Sequence, residues 1–478
     1  MAFPVLVCLA LPSRAPAEAP AAAVPIAPAG WPADSQSGVE VAPIPGSQDD
    51  PCVLPDGAGG VFVAWRQSGG RNGDDVFAQR LGPDGTARWG DGGVPVCLAA
   101  ADQRSPQMVG DGAGGLIVVW EDRRNGRDAD LYAQRLDGDG GPVWAADGVP
   151  VSLARGDQRA PRLMADGHGG AWVVWEDLRS GDVELYAQGL DANGAPRWSP
   201  DGVALVNGPG SQASPDLVGD AIGGVLVTWR DSRRSAGGAG AAEDVYAQRL
   251  DPDGNPRWAV NGVAVSSGID AGAHPTAIAD GSGGMVVAWE GAAVTTQRID
   301  STGVPVWGPD GLAISSEPGR LPALVPLEGG VMVVWRSGIV IGGDNAVRVC
   351  RVTTAGVVRD SGGVTVSGTR GPKTDLVAIA DGAGGAIAGW RDNHDEGFGS
   401  TLAQRADSTA APRWSSHGAV VSSAPGFQRS LRLASDGVGG VIAVWVDQRH
   451  GQHVFAERLG PDGRRGGVVA TPAPPAPR

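Results

Sequence analysis

Several residue types are rare in this sequence, and their scarcity narrows the class of protein. Among 478 residues there are one lysine, Lys373, three tyrosines, six phenylalanines and four cysteines. The 53 acidic and 38 basic residues give a formal charge of −15, and no basic stripe is visible. A nucleic-acid binder normally carries such a stripe, so the sequence argues against that class. After the first 28 residues, no stretch reaches the ~18 apolar residues that a membrane-spanning helix needs.

What the sequence contains in abundance is a repeat. Its marker is Asp-Gly-x-Gly-Gly followed by an apolar run that ends in tryptophan. The acidic residue of the marker, or its counterpart in a divergent copy, is Asp56, Asp111, Asp166, Asp220, Asp280, Glu328, Asp381 or Asp436. The matching tryptophans are Trp65, Trp120, Trp175, Trp229, Trp289, Trp335, Trp390 and Trp445. The first three markers are spaced at 55 residues, and a long period built from short strand signals is typical of a propeller or another repeat array.

Each repeat is predicted to form four strands. An extended segment such as Pro161–Ala165 comes first, and the marker glycines then supply the positive φ angles of a tight turn. The second strand is a continuous apolar run such as Gly115–Trp120, which indicates burial on both faces. The third strand is exemplified by Leu131–Asp137 and the fourth by Pro142–Val151. Four such antiparallel strands make one propeller blade.

The two ends of the repeat region complement each other. Trp31 followed by Gly38–Val39 resembles a fourth strand without the first three, and Gln428–Leu459 contains three strands without a fourth. Combining them gives one complete blade, and a closed ring leaves only short exposed edges. We therefore predict an all-β fold: a single eight-bladed β-propeller of four-stranded antiparallel blades, closed by the N-terminal fourth strand together with the three C-terminal strands.

The chain is predicted to contain three segments. Residues 1–28 combine a short apolar stretch with an Ala/Pro-rich segment, as a secretory signal peptide does. Residues 29–466 form the propeller, and residues 467–478 form a Pro-rich tail. Cys52 and Cys97 are expected on the innermost and outermost strands of the first blade, roughly 14 Å apart at the usual strand spacing. This separation is too large for a disulfide, so both are predicted to be free thiols.

The loops between second and third strands supply the first candidates for a binding site. Asp occurs two residues after tryptophan in five repeats, and Arg follows two residues later in four of them. The candidate binding residues are Asp122, Arg124, Asp177, Arg179, Asp231, Arg233, Asp392, His394, Asp447 and Arg449. The loops entering the first strands add Gln103, Gln158, Gln212 and Gln428 on the same face. Two hypotheses remain open: these groups bind a glycan or an acidic peptide, or they bond to one another and lock neighbouring blades.

Asp-x-Asp-Gly turns are the second candidates. Asp137 with Asp139, and Asp251 with Asp253, bring two carboxylates together, which makes calcium a possible cofactor. Other repeats carry fewer charges here, and a plain hairpin turn explains all of them. The turns resemble the Asp-box of sialidase-type propellers. However, the three tyrosines share one repeat position, which argues against the tyrosine nucleophile that a sialidase needs.

Histidines in the last two complete repeats are the third candidates. His394 lies beside Asp395 and Glu396, and the following repeat has His450 and His453 in the equivalent region. Histidine with carboxylate can bind a transition metal or provide acid–base groups, although exposed loop histidines are usually only solvated. No P-loop, Gly-x-Ser-x-Gly, His-Glu-x-x-His or Cys-x-x-Cys pattern is present, which lowers the odds of an enzyme.

The complete repeat pattern resembles the β-propellers of secreted or surface proteins of bacteria. The resemblance covers residues ~30–465 and implies the fold and an extracytoplasmic location: secreted, periplasmic or on the cell surface. It implies no catalytic residues. The first functional hypothesis is a monomeric binding or scaffold module for a glycan or another surface protein, with no required cofactor. The alternative is a hydrolase or lyase acting on polysaccharide, with its site in the loops near His394 and His450.

Overall fold

The computed structural model describes residues 30–70, 72–235, 243–266, 274–338, 345–368, 371–393 and 399–466. The predicted leader, 1–28, and tail, 467–478, lie outside these ranges. The described backbone forms β-strands and one short 3-10 turn, Arg233–Ser235. Within these ranges, no helix has the length and apolar character to cross a bilayer. The strands pair into eight antiparallel four-stranded sheets, which confirms the predicted all-β eight-bladed propeller.

The strands follow one another at nearly regular intervals along the chain. The first group is β1 Val39–Glu40, β2 Gln48–Pro55, β3 Val61–Gln67, β4 Asp75–Leu81, β5 Val94–Cys97, β6 Gln103–Gly110, β7 Leu116–Asp122, β8 Asp130–Leu136 and β9 Val149–Ser152. The second is β10 Gln158–Ala165, β11 Ala171–Asp177, β12 Glu184–Leu190, β13 Val203–Ala204, β14 Gln212–Gly219, β15 Val225–Asp231, β16 Asp244–Leu250 and β17 Val263–Ala264. The third is β18 Thr276–Ala279, β19 Met285–Trp289, β20 Thr295–Ile299, β21 Leu312–Ala313, β22 Gly319–Leu327, β23 Gly330–Ser337, β24 Val347–Thr353 and β25 Val358–Thr365. The last is β26 Lys373–Ala380, β27 Ala386–Asp392, β28 Ser400–Ala406, β29 Ala419–Ser422, β30 Gln428–Ser435, β31 Val441–Asp447 and β32 His453–Leu459.

Seven blades are made of consecutive strands, starting with β2–β5 as blade 1 and ending with β26–β29 as blade 7. Blade 8 has the order β30-β31-β32-β1, so its outermost strand comes from the N-terminal end. Val39 pairs with Ala456, and Glu40 pairs with Phe455. The predicted closure of the ring by the two ends of the chain is therefore confirmed.

The first strand of each blade, its inner strand, faces the axis of the ring. Inner strands of all neighbouring blades contact one another, including β30 of blade 8 with β2 of blade 1. The inner strands therefore form an unbroken ring around a central channel. Side chains that leave these strands near the channel can converge on one another from several blades.

The hydrophobic core lies between the blades. Eight separate clusters of buried apolar side chains each join two neighbouring blades, and the cluster that contains Trp31 joins blade 8 to blade 1. The repeated tryptophan of the second strand is buried in every blade, with Trp120 at 0% exposure. The apolar runs of the second strands predict burial on both faces of each blade. The clusters between neighbouring blades confirm this prediction.

The marker turn is held by its aspartate. In blade 2, Asp111 Oδ1 accepts hydrogen bonds from the N–H groups of Ala113 (2.7 Å) and Gly115 (2.8 Å). Its other oxygen lies 2.9 Å from a guanidinium nitrogen of Arg135 on β8. A Cβ on Gly115 would lie 2.2 Å from the carbonyl oxygen of Leu136, so only glycine fits there. The repeated Asp and Gly thus tie the inner hairpin to the third strand.

Two detailed predictions about blades have different outcomes. Cys52 and Cys97 lie on β2 and β5 as free thiols, as predicted. The continuous fourth strand Pro142–Val151 is wrong, since Pro142 makes only an isolated bridge to Leu136 and β9 begins at Val149. Between Pro142 and Val149 the chain leaves the sheet, because Trp144 turns toward the next blade.

Candidate functional site

The predicted Asp–Arg pairs lie inside the blades. In blade 2, Asp122 is fully buried, and its carboxylate accepts hydrogen bonds from Trp120 Nε1 (2.7 Å) and Arg124 Nε (2.9 Å). The Arg124 guanidinium stacks 3.7 Å from the ring centre of Tyr132 and donates to the Asp147 carbonyl (2.8 Å). The Asp122 carboxylate, the Trp120 N–H, and Nε and Nη2 of Arg124 therefore all have partners within the fold.

The same arrangement returns around the ring. Buried aspartates bonded to tryptophan and arginine recur at Asp177 with Arg179, Asp231 with Arg233 and Asp447 with Arg449. In blade 7, Asp392 is also fully buried and lies 3.4 Å from the buried ammonium of Lys373. Arg124 also contacts Cys97 of the preceding blade, with Nη2–Sγ at 3.2 Å. These side chains bond to one another and connect neighbouring blades, as one of the two hypotheses expects. Ligand binding by the same residues stays a prediction.

The predicted histidine site is only partly described. His394 lies outside the described residues. His450 is exposed in the turn after β31, and His453 Nδ1 lies 2.7 Å from Glu40 in the closing blade. His453 therefore belongs to a contact between the two ends of the chain.

The Asp-x-Asp-Gly turns hold their own backbone. Asp137 Oδ1 accepts from the N–H groups of Asp139 (3.0 Å) and Gly141 (2.8 Å), and Asp251 does the same in blade 4. These contacts are those of a hairpin turn. Across the described ranges, no group of three or more His, Cys, Asp or Glu is placed to hold a metal ion.

A feature that the sequence analysis missed lies on the inner strands. In seven blades the inner strand has a β-bulge near its start. One residue at this point has a positive φ in every blade, from 50° to 62°. We call these eight residues the bulge residues, including His274 at the equivalent position of blade 5, where the described pairing has no register shift. They are Asp50, Ser105, Ala160, Ser214, His274, Leu321, Asp375 and Ser430. Because each bulge re-aims neighbouring side chains, the ring of bulges brings a new set of residues to the channel mouth.

The charged side chains around these bulges form what we call the inner ring. Three of its positions lie on the inner strand: the residue before the bulge residue, the bulge residue itself, and the second residue after it. The fourth position is the residue directly after the tryptophan of the second strand. The inner ring comprises the charged residues at these four positions. The arginines are Arg66, Arg104, Arg159, Arg162, Arg230, Arg320, Arg336, Arg391, Arg429 and Arg432. The carboxylates are Asp49, Asp50, Glu121, Glu176, Asp216, Glu290 and Asp375. These positions hold ten arginines and seven carboxylates, and three carboxylates outside them, Asp74, Asp102 and Glu243, pair with Arg66, Arg104 and Arg230.

Glutamates of the inner ring join neighbouring blades. Glu121 accepts a hydrogen bond from the Ala160 N–H (2.9 Å), which is the bulge residue of the next blade. Glu176 and Glu290 make the equivalent bond to the next blade, at 2.9 and 3.0 Å. These bonds hold the bulges in place, and they use carboxylate oxygens that would otherwise be available to the arginines.

Blades 5 and 6 bring a histidine into the ring. His274 Nδ1 lies 3.8 Å from Glu290 Oε1, and Arg320 Nη1 lies 2.6 Å from Glu290 Oε2. Burial lowers the pKa of His274; Glu290 opposes this shift, whereas the positive charges of Arg230 and Arg320 add to it. The sector therefore combines a neutral imidazole with several guanidiniums.

Three arginines of the inner ring have no carboxylate partner in the described part of the chain. Among the described residues, no carboxylate oxygen lies within 4.0 Å of a guanidinium nitrogen of Arg162, Arg336 or Arg432. They come from blades 3, 6 and 8, so they are distributed around the channel. Burial lowers the pKa of Arg336, which reflects the cost of holding its charge inside the protein. Arg162 Nε and Arg336 Nε are buried and have no hydrogen-bond partner among the described residues, so these two guanidiniums keep unused donors.

One sequence signal pointed to this ring. The residue after the second-strand tryptophan is charged in seven of the eight repeats, with Val446 as the exception. A charge next to a buried tryptophan at the same repeat position indicates a shared polar environment. The bulge residue is followed by proline in six of the eight repeats, a pattern that predicts extended backbone at that residue and not a positive φ.

The fold and the ring identify the class of protein as an eight-bladed β-propeller with a charged channel mouth. No family model and no curated protein matches the sequence. Solved structures that it resembles include an ulvan lyase, a polysaccharide lyase, at 10% identity over 89% of this chain and 96% of that one, with a TM-score of 0.48. A leech intramolecular trans-sialidase is similar at 12% identity over 91% of this chain and 71% of that one, with a TM-score of 0.37. Likenesses at these identities and TM-scores carry no argument about activity.

Proposed function

We propose that this protein is a binding module that holds an acidic glycan at the inner ring. The observation that carries the proposal is that Arg162, Arg336 and Arg432 form no ion pair with a carboxylate of the described residues, in a chain of formal charge −15. Exposed charges are screened beyond about 8 Å at physiological ionic strength. An acidic ligand near the axis would therefore experience the local positive charge more strongly than the distant negative surface.

The chemistry of the ring favours carboxylate or sulfate groups over neutral sugars. Guanidinium groups bind such anions through two parallel hydrogen bonds. Arg162, Arg336 and Arg432 have donors that no carboxylate of the described chain satisfies. A long double-stranded nucleic acid is disfavoured because it would cover a wide and mostly acidic surface. The predicted signal peptide supports an extracytoplasmic location, where acidic polysaccharides and surface proteins are the available partners.

One observation favours a catalytic alternative. His274 is kept neutral by burial and by nearby arginines, and it lies 3.8 Å from Glu290. A neutral imidazole beside guanidiniums could remove a proton next to a sugar carboxylate that those guanidiniums neutralise. A polysaccharide lyase would therefore use the same ring rather than the loops near His394 and His450. Incubation with polygalacturonate tests this alternative, since cleavage would release new chain ends and binding alone would not.

Binding is tested by calorimetric titration of the full chain with polygalacturonate, and with dextran as the neutral control. Saturable binding of polygalacturonate, weakened by added salt, is expected for the wild type. Arg336→Gln should weaken it about tenfold or more, because a hydrogen bond to a charged group contributes about 1.5–3 kcal/mol. Arg464→Gln is the matched control, since this arginine is 85% exposed on the outer rim. Equal binding of polygalacturonate and dextran, or equal loss in both variants, would contradict the proposal.

A further inference from the structure

Two arginines of blade 6 lie directly opposite each other on neighbouring strands. Arg320 on β22 and Arg336 on β23 are Cα partners in the antiparallel register of these strands. Partners of this kind have Cα atoms about 5 Å apart and side chains on the same face of the sheet. Two like charges in such a position destabilise the strand pair.

The equivalent pair carries opposite charges in three other blades. It is Asp49 with Arg66 in blade 1, Arg104 with Glu121 in blade 2 and Arg159 with Glu176 in blade 3. In blade 3 the partners form an ion pair, with 3.0 Å between Arg159 Nε and Glu176 Oε2. In blades 4, 7 and 8 one partner is uncharged. Across the described pairings, blade 6 alone places two positive charges at this position.

The two guanidiniums of blade 6 reach toward different neighbouring blades. Arg320 Nη1 lies 2.6 Å from Glu290 Oε2 of blade 5. Arg336 Nη1 donates to the Lys373 carbonyl of blade 7 (3.0 Å), and its guanidinium makes no other hydrogen bond among the described residues. Arg320 therefore takes its acidic partner from another blade, and Arg336 has none in the described part of the chain.

Glu290 is the carboxylate that acts on both arginines. Burial lowers the pKa of Arg336, Glu290 opposes that shift, and the positive charge of Arg320 adds to it. Glu290 Oε1 is also engaged by backbone, because it accepts a hydrogen bond from the Leu321 N–H (3.0 Å). His274, at 3.8 Å from Glu290, adds no negative charge. Two guanidiniums and one carboxylate thus leave one positive charge uncompensated.

A second anion would supply the negative charge that blade 6 lacks. Guanidinium groups bind carboxylates and sulfates through paired hydrogen bonds. Arg320 is 43% exposed and Arg336 is half-buried, so a ligand can reach both from solvent. We propose that Arg320 and Arg336 together bind one anionic substituent of an acidic glycan, a carboxylate or a sulfate ester. The inference rests on the proposed function for the glycan, and it assigns the anionic group to one blade of the inner ring.

Inorganic sulfate is the probe for this site. Calorimetric titration of the full chain with sodium sulfate, with sodium chloride at matched ionic strength as the blank, should show saturable binding to the wild type. Arg320→Gln and Arg336→Gln should each weaken sulfate binding about tenfold or more. Arg464→Gln, on the outer rim, should leave it unchanged. Absence of saturable sulfate binding to the wild type would overturn the inference, as would unchanged binding in both of the first two variants.

Arg336→Glu separates an anion site from a purely structural role. This change copies the opposite charges of Arg159 and Glu176 in blade 3, so it removes the like-charged pair. Sulfate binding should disappear, whereas urea unfolding in sulfate-free buffer should show stability no lower than that of the wild type. A clear loss of stability in that buffer would contradict the proposal, because Arg336 would then stabilise blade 6 without an anion.

Titration with polygalacturonate distinguishes failure of this inference from failure of the proposed function. Arg320→Gln should weaken polygalacturonate binding, and saturating sulfate should compete with it. Polygalacturonate binding that neither this variant nor sulfate affects would remove the inference and leave the proposed function. Sulfate binding that depends on both arginines, in a protein that does not bind polygalacturonate, would remove the proposed function and leave the anion site.

Discussion

Glu457 and Arg465 form an ion pair in the closing blade, with 2.8 Å between Glu457 Oε2 and Arg465 Nη1. The Glu457 side chain is fully buried, and Arg465 also donates to the carbonyl oxygens of Asp34 (2.9 Å), Val420 and Val421. Six other blades carry glutamine at the position of Glu457, namely Gln79, Gln134, Gln188, Gln248, Gln297 and Gln404. The charged pair thus occurs in the one blade that is assembled from both ends of the chain, and it connects those ends.

The pair makes stability depend on pH. Burial raises the pKa of Glu457 to about 7 from an ordinary value of 4.5, although Arg465 opposes the shift. Because the folded state holds the proton more tightly, the contribution of this group to stability is complete below pH 4.5 and is lost as pH rises through 7. A shift of this size corresponds to about 3 kcal/mol.

Glu457→Gln should therefore remove most of this pH dependence. We expect urea unfolding to show a smaller difference in the free energy of unfolding between pH 5 and pH 8 for this variant than for the wild type. Glu328→Gln, at an exposed turn, is the matched control and should keep the wild-type difference. Equal pH dependence in all three proteins would show that Glu457 does not titrate in this range.

Removal of the closing strand should open the ring. Deletion of residues 29–45 takes away β1 and the buried side chains of Trp31, Val41 and Ala42. Loss of a buried tryptophan alone costs about 3–5 kcal/mol, and the exposed edge of β32 would be free to pair with another chain. A lower melting temperature and larger particles in light scattering are expected, whereas deletion of residues 1–28 should have neither effect. If the longer truncation melts like the intact protein, β1 does not close the ring.

The blade count and the closure could be predicted because each blade repeats the same local signals. The pairing of Val39 with Ala456 follows from the missing strands at the two ends. The outer strand was less predictable, because its course depends on a contact with another blade. Trp144 Nε1 donates to the Ala192 carbonyl of the next blade (2.9 Å), and this contact draws the chain away from the sheet before β9.

The inner ring could not be predicted for a related reason. Ala160 has a φ of 50° and precedes a proline, a combination that local rules disfavour because proline restricts the preceding residue to extended conformations. The bond from its N–H to Glu121 in the previous blade helps to hold it there. Proline follows the bulge residue in six of the eight blades, but local rules assign an extended conformation to a residue before proline. The convergence of arginines at the channel mouth therefore becomes visible only in three dimensions.

Substitution of a buried loop aspartate separates the two hypotheses for the Asp–Arg pairs. Asp122→Ala should destabilise the protein by about 3 kcal/mol, because Trp120 Nε1 and the Arg124 guanidinium lose their buried acceptor. The double variant Asp122→Ala/Arg124→Ala should cost less than the sum of the two single changes, since no unpaired charge is left. Urea unfolding measures the energies, and polygalacturonate titration should give wild-type affinity. Wild-type stability with lost glycan binding would instead make this loop a ligand site.

Relief of the inner-ring backbone gives a final prediction. Ala160 has a φ of 50°, where an alanine is strained and a glycine is not. Ala160→Gly should therefore raise the free energy of unfolding by about 0.5–1 kcal/mol, the size of effect that such exchanges have at positions with positive φ. Ala165→Gly, near the end of the same strand β10 at an ordinary φ, should lower it by a similar amount. If both variants are destabilised, the backbone at Ala160 is not measurably strained. The hydrogen bond from the Ala160 N–H to Glu121 then offsets no strain.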